Sequence, residues 1–233
     1  EWGHISCAMT IIHPVPPTIY TEPEFRVRAT SRLFHSPSES VFDPRTGRAW
    51  SRSDWDLNPE MLADFEVMAP PRPAAVLVPV IARPELTVLL TERTAHLSTH
   101  AGQVAFPGGK VEASDIDAIH TALREAEEEI GLSRTLVEPL GFLDGYRTGT
   151  GFLVTPVVAL VKPDFVLALD PGEVACTFEV PLAFLMDPAN HKHHSRPWRG
   201  RERHYYAMPF GDHYIWGATA GMLKNLHERL YGG

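Results

Sequence analysis

The sequence predicts an α/β (α+β) fold built around a mixed β-sheet, on three observations. β-rich runs begin at Ala74 and recur as far as Trp216, two amphipathic helices punctuate them, and a chain of 233 residues that is 44% hydrophobic can bury a substantial core. The runs 74–81 and 86–91, rich in Val, Leu and Ile and separated by Arg83-Pro84-Glu85, read as a hairpin. Further strands are expected at 140–143, 154–161, 203–208 and 213–216. The first helix is expected to begin after Ser114, whose hydroxyl can cap free amides while Asp117, three residues on, completes a capping box. It stops at Gly131, a residue suited to the left-handed cap. Ile116, Ile119, Leu123, Ala126 and Ile130 form its apolar stripe, and Met222, Leu223, Leu226 and Leu230 form that of a second helix from Ala218 to about Tyr231.

Ahead of this pattern, residues 1–72 are rich in Pro, Ser, Arg and aromatics and end in a proline-containing run, so they read as an N-terminal extension to a domain spanning 73–233. The formal net charge of −8 opposes binding of a polyanion, so nucleic acid is not an expected partner. No apolar run is long enough to cross a bilayer, so no membrane is expected either. Cys7 and Cys176 lack the paired spacing of disulfide scaffolds or zinc sites, which suits a reducing cytoplasm. No basic stretch followed by an apolar one opens the chain, so no secretory leader is expected, and the start at Glu1 reads as a trimmed end.

At 100° per residue, Glu125, Glu128 and Glu129 fall on one face of the first helix, roughly opposite its apolar stripe, with Glu127 nearer the stripe's edge. Like charges at this spacing weaken a helix by a few tenths of a kcal/mol per pair, roughly. A hard divalent cation such as magnesium or manganese offsets them; a solvated acidic face is the plain alternative. What separates the two is the upstream run Gly102-Gln103-Val104-Ala105-Phe106-Pro107-Gly108-Gly109-Lys110, a glycine-rich turn that lets backbone approach a ligand closely.

Gly109 followed by Arg124-Glu125-Ala126-Glu127-Glu128-Glu129-Ile130-Gly131-Leu132 resembles the Nudix box, whose tail is matched at every defined position. Fourteen residues rather than thirteen separate Gly109 from Arg124. Counting forward puts the first Glu of the box at Asp115; counting back puts it at Ile116. The extra residue, the run Leu89-Leu90-Thr91-Glu92-Arg93-Thr94-Ala95-His96-Leu97-Ser98-Thr99-His100-Ala101-Gly102-Gln103 before the glycines, and the downstream segments 173–182, 187–190 and 215–220 are similar to the coenzyme A pyrophosphatase branch of that superfamily.

The resemblance implies a Nudix-type α/β/α sandwich in which Glu125, Glu128 and Glu129 bind Mg2+ or Mn2+ and Arg124 orients the cluster. Glu128, Glu129 and Glu173 are the general-base candidates, Glu173 being the favoured extra contributor. Arg93, His100, Gln103, Gly108 and Gly109 line or brace the diphosphate site. The implied partner is a small nucleoside diphosphate: coenzyme A, cut into 4′-phosphopantetheine and adenosine 3′,5′-bisphosphate. The runners-up are another substrate, such as ADP-ribose or a dinucleotide, and a non-catalytic ligand-binding module. A homodimer stays open. His96 is expected to be a loop residue, His191, His193 and His194 to form an exposed loop with Lys192 and Arg196, and Trp198, Tyr205 and Tyr206 to be core or edge residues.

Overall fold

The computed structural model describes residues 18–37, 52–61, 70–95 and 102–232. In chain order its strands are β1 (Arg52–Ser53), β2 (Arg72–Ile81), β3 (Thr87–Arg93), β4 (Val104–Ala105), β5 (Gly108–Lys110), β6 (Val137–Phe142), β7 (Tyr146–Arg147), β8 (Phe152–Val161) and β9 (Val174–Pro181), which share one sheet. A second, three-stranded sheet holds β10 (Lys192–Trp198), β11 (Arg201–Phe210) and β12 (His213–Trp216). The helices are α1 (Glu22–Arg32), α2 (Ala118–Ile130), the single turn α3 (Leu182–Leu185) and α4 (Ala218–Leu230).

β2 is apolar on both faces, the pattern of a strand covered on both sides, and it sits centrally. Along one edge it pairs in parallel with β8 from Arg72↔Phe152 to Ile81↔Val161. Its other edge is shared: β5 takes Ala74 to Val76, and β3 takes only Val80 and Ile81. The expected hairpin therefore closes for two registered pairs and then opens, with β3 continuing against β9 from Thr87↔Pro181 to Arg93↔Val174. Into the opening goes Gly108, at φ +152°, where an added Cβ would lie 2.4 Å from the Ala75 carbonyl oxygen, so only glycine can occupy the position.

The layers follow from alternation along β2. Ala75, Leu77 and Ile81 face α2 and pack with its Ala122, Ala126 and Ile130. Val78 and Val80 face the other way, onto Phe25 and Ala29 of α1, Leu223, Leu226 and Leu230 of α4, and Met208 and Ile215 of the small sheet. The result is the expected α/β/α sandwich with a mixed sheet. α1 lies in the segment ahead of Ala74, yet its Phe25 and Ala29 are fully buried, each apolar side chain of Phe size contributing about 1.5–3 kcal/mol. Among the described residues no helix is long and apolar enough to cross a membrane.

Four local expectations need correction. α2 starts at Ala118 and is capped by Asp117 itself, whose carboxylate accepts the His120 N–H at 2.7 Å; Ile116 precedes the helix and is 84% exposed instead of lying in the apolar stripe. The helix does end at Gly131, left-handed at φ 67°. Glu129 does not share the open face of Glu128 but is buried, because β5 and the segment before β9 cover that flank of the helix. Residues 192–198 are a strand, not a loop: β10 pairs antiparallel with β11 throughout, from Lys192↔Ala207 to Trp198↔Arg201. Its polar, His-rich outer face hides the alternation that marks strands with one buried side. β9, too, went unexpected, its half-buried polar residues interrupting the apolar pattern.

Candidate active site

α2 carries Arg124, Glu125, Glu128 and Glu129 up to the strand β5, and the two glycines there set how near they come. Gly108 N–H donates to Glu129 Oε2 at 3.1 Å. A Cβ at Gly109 would stand 2.5 Å from the carboxyl atoms of Glu125, so the missing side chain at 109 is what admits that carboxylate. Arg124 reaches Glu125 at 3.0 Å and Glu128 at 2.9 Å with Nη1 and donates from Nη2 to the Lys110 carbonyl at 3.1 Å. One guanidinium thus ties two of the acidic side chains to the glycine strand.

Arg124 is itself held by Asp115. Its Nε and Nη2 meet the two oxygens of the fully buried Asp115 carboxylate, each at 3.0 Å, in the two-pronged geometry that fixes a guanidinium plane. The same carboxylate accepts from the Glu112 N–H and the Thr121 hydroxyl, and lies 2.8 Å from His120 Nδ1. Arg124, then desolvation in the opposite sense, then these smaller donors set its proton affinity, and the net effect holds it well below the usual carboxylate range. Of the two positions reached by counting, Asp115 therefore takes the place beside Arg124, and Ile116 points to solvent. The forward count from Gly109 was the signal; Thr121 and His120 left none. Asp115→Asn is expected to cost about 10–100-fold in kcat, the usual price of loosening a partner that orients metal-site residues. Steady-state kinetics beside a melting curve would check it; unchanged kcat would detach Asp115 from the site.

The acidic side chains are only partly compensated. Burial pushes the Glu129 carboxyl up to about 8, the Gly108 N–H and Arg93 pulling down and Glu173 and Glu125 adding to the rise. Burial also raises Glu125, Arg124 opposing it and Glu128 and Glu173 reinforcing it. Glu173 is exposed at the start of β9, with its carbonyl accepting the Thr94 N–H at 3.0 Å. The negative charge of Glu173 thus acts on both Glu125 and Glu129. Arg93 Nη1 stands 3.8 Å from Glu129 Oε1, and its Nε is buried with no hydrogen-bond partner among the described residues. Gln103 braces this end of β3 through its carbonyl, which accepts the Arg93 N–H at 3.0 Å. His100 and His96 lie outside the described residues.

As the side chains lie, no three His, Cys, Asp or Glu among the described residues close around a metal ion. Arg124 and the Gly108 N–H hold the carboxylates instead. The donor set nonetheless fits a hard divalent cation: all-oxygen donors, two of them held at raised proton affinity by burial and by one another.

An α/β/α sandwich whose acidic helix faces a glycine strand suits the chemistry of a metal-dependent hydrolase of phosphate anhydrides. The NUDIX domain family matches residues 71–199. The chain is 41% identical over 175 residues to a protein described as Uncharacterized Nudix hydrolase NudL of Photorhabdus laumondii, covering 71% of this chain and 94% of the relative. It is 38% identical over 175 residues to the protein so described in Escherichia coli K12, covering 72% and 91%. Among solved structures it is similar to the NUDIX domain of Shewanella oneidensis NrtR complexed with ADP ribose, at 19% identity and TM-score 0.45, covering 74% of this chain and 98% of that one. The chain belongs to the Nudix family, and is an enzyme that hydrolyses pyrophosphate bonds. Such hydrolases generally need divalent metal ions such as Mg2+ or Mn2+.

Proposed function

We propose that the chain hydrolyses the diphosphate bond of coenzyme A or its derivatives, giving 4′-phosphopantetheine and adenosine 3′,5′-bisphosphate. The observation that carries the hydrolase chemistry is the gathering of Glu125, Glu128 and Glu129 on the Gly108-Gly109 strand by Arg124 and the Gly108 N–H. Support for the coenzyme A substrate comes from the run 89–109, whose likeness to the coenzyme A pyrophosphatase branch extends through β3, β4 and β5 into that strand.

Glu125, Glu128 and Glu129 would hold Mg2+ or Mn2+, which when bound polarises phosphoryl oxygens and lowers the pKa of coordinated water. The chain's own residues do the rest. Arg124, fixed by Asp115, sets the directions of Glu125 and Glu128. The missing side chain at Gly109 admits the Glu125 carboxylate, and that at Gly108 lets the strand lie against Ala75 and Val76, so the acidic side chains stand directly on the glycine strand. Arg93, whose Nε has no hydrogen-bond partner among the described residues and whose Nη1 lies 3.8 Å from Glu129, supplies positive charge to the phosphates. Glu173, exposed at the rim, takes the proton of the attacking water. Oxygen from water joins one phosphorus, and the bridging oxygen leaves with the other. His100 joins the phosphate-binding set in this reading, and the enzyme acts in the cytoplasm.

The test is incubation of the full chain with coenzyme A, with and without Mg2+ or Mn2+, beside ADP-ribose and NADH, with products identified by mass spectrometry. Metal-dependent 4′-phosphopantetheine and adenosine 3′,5′-bisphosphate, formed faster than products from either control, is the expected result. Cleavage of a control alone would overturn the substrate.

A further inference from the structure

The residue after Gly109 faces away from the acidic helix. Gly109 registers with Ala75, on the side of the sheet covered by α2, whereas Lys110 registers with Ala74, on the opposite side. Arg72 lies two residues before Ala74 on β2 and so shares the face of Lys110. From the spacing between strands and the rise along them, the two Cα atoms are about 8 Å apart. The Arg72 guanidinium is set 4.1 Å over the ring of Phe152, which itself packs on the core of that face. Both side chains are exposed, and neither makes an ion pair with a carboxylate among the described residues. Arg52, Arg83, Arg134 and Arg229 each meet a carboxylate at 2.7 Å, whereas Arg72 and Lys110, like Arg147 and Lys162, meet none among the described residues.

We infer that Arg72 and Lys110 form a subsite for a phosphate monoester carried by the substrate in addition to its diphosphate. A monoester carries about −1.5 to −2 charge at neutral pH and would be repelled by Glu125, Glu129 and Glu173 unless cations met it separately. Lys110 directly follows Gly109, whose missing side chain admits the Glu125 carboxylate, so the two cations begin one residue beyond the acidic site. A guanidinium braced on an aromatic ring presents its N–H fork to a phosphate at little entropic cost. This assignment rests on the coenzyme A reading, since coenzyme A bears a 3′-phosphate that ADP-ribose and NADH lack, and it makes these two residues determinants of specificity.

The experiment compares kcat/KM for coenzyme A and 3′-dephospho-coenzyme A in the wild type, Arg72→Gln, Lys110→Gln and the double variant. Calorimetry of adenosine 3′,5′-bisphosphate against adenosine 5′-monophosphate, in EDTA, gives a readout independent of turnover. The wild type is expected to favour coenzyme A by about tenfold or more, with each substitution shrinking that ratio several-fold through KM, and the double variant erasing it. The bisphosphate is expected to lose its binding advantage in parallel. Equal use of the two substrates by the wild type, or variants that lower both alike, would overturn the subsite while leaving the coenzyme A reading intact. Turnover of ADP-ribose with neither coenzyme A form cleaved would overturn both.

Discussion

A Glu128→Gln enzyme is expected to fold as the wild type does and to lose about a thousandfold in kcat/KM with metal present. The fold is safe because the Glu128 side chain is 60% exposed and, among the described residues, its one polar partner is Arg124. The activity is not, because an amide is a poor ligand for a hard cation where a carboxylate is a good one. Glu129→Gln should lose as much, although an amide oxygen can still accept the Gly108 N–H. Glu127→Gln is the control on the same helix: Glu127 is exposed, pairs with Arg134 at 2.7 Å, and takes no part in the cluster. Its activity is expected to stay within about twofold, the effect of a surface pair being small. A folded Glu128→Gln protein with near-normal turnover would remove that residue from the metal-binding set.

Asp144→Ala is expected to cost about 3 kcal/mol in stability, because it leaves Arg229 in a partly buried position without its counter-charge. Arg229 Nε and Nη2 each donate to the Asp144 carboxylate at 2.7 Å, and the Asn225 amide donates to it at 2.7 Å. Arg229 also lies 3.8 Å over the ring of Phe34. The network thereby joins the loop after β6 to α4 and to the segment following α1. In a chain of this size the loss corresponds to a melting temperature lower by about 6–12 °C. Its pH dependence has a definite sign. Burial alone would raise the Asp144 carboxyl, but Arg229 and Asn225 outweigh it and leave the carboxyl below its ordinary value. A depressed folded-state value contributes stability above the unfolded value of about 4, and that contribution fades as pH falls further. The gap between wild type and variant should be full at neutral pH and close in acid. A gap that is constant down to pH 2 would show that Asp144 acts by packing and not by charge.

How much of this was legible beforehand differs from residue to residue. Spacing at 100° per residue placed α2 and α4, and Gly131 and its left-handed turn placed the end of α2, because helix periodicity and caps are local properties. The acidic residues with their arginine and glycines marked the family for the same reason: ligand chemistry confines residue types to short spacings. Tertiary contact decided the rest. Counting forward gave Asp115 and counting back gave Ile116, and only the buried carboxylate facing Arg124 selects one. Glu129 looked like Glu128 on a helical wheel, yet β5 covers one and leaves the other in water. Arg72 and Lys110 are 38 residues apart in the chain and share a face solely because β5 pairs with the start of β2. The sequence by itself determined what each segment can be and which chemistry its residues can perform. The pairing of strands far apart in the chain decided which side chains lose water and which meet, and those contacts control charge and reactivity.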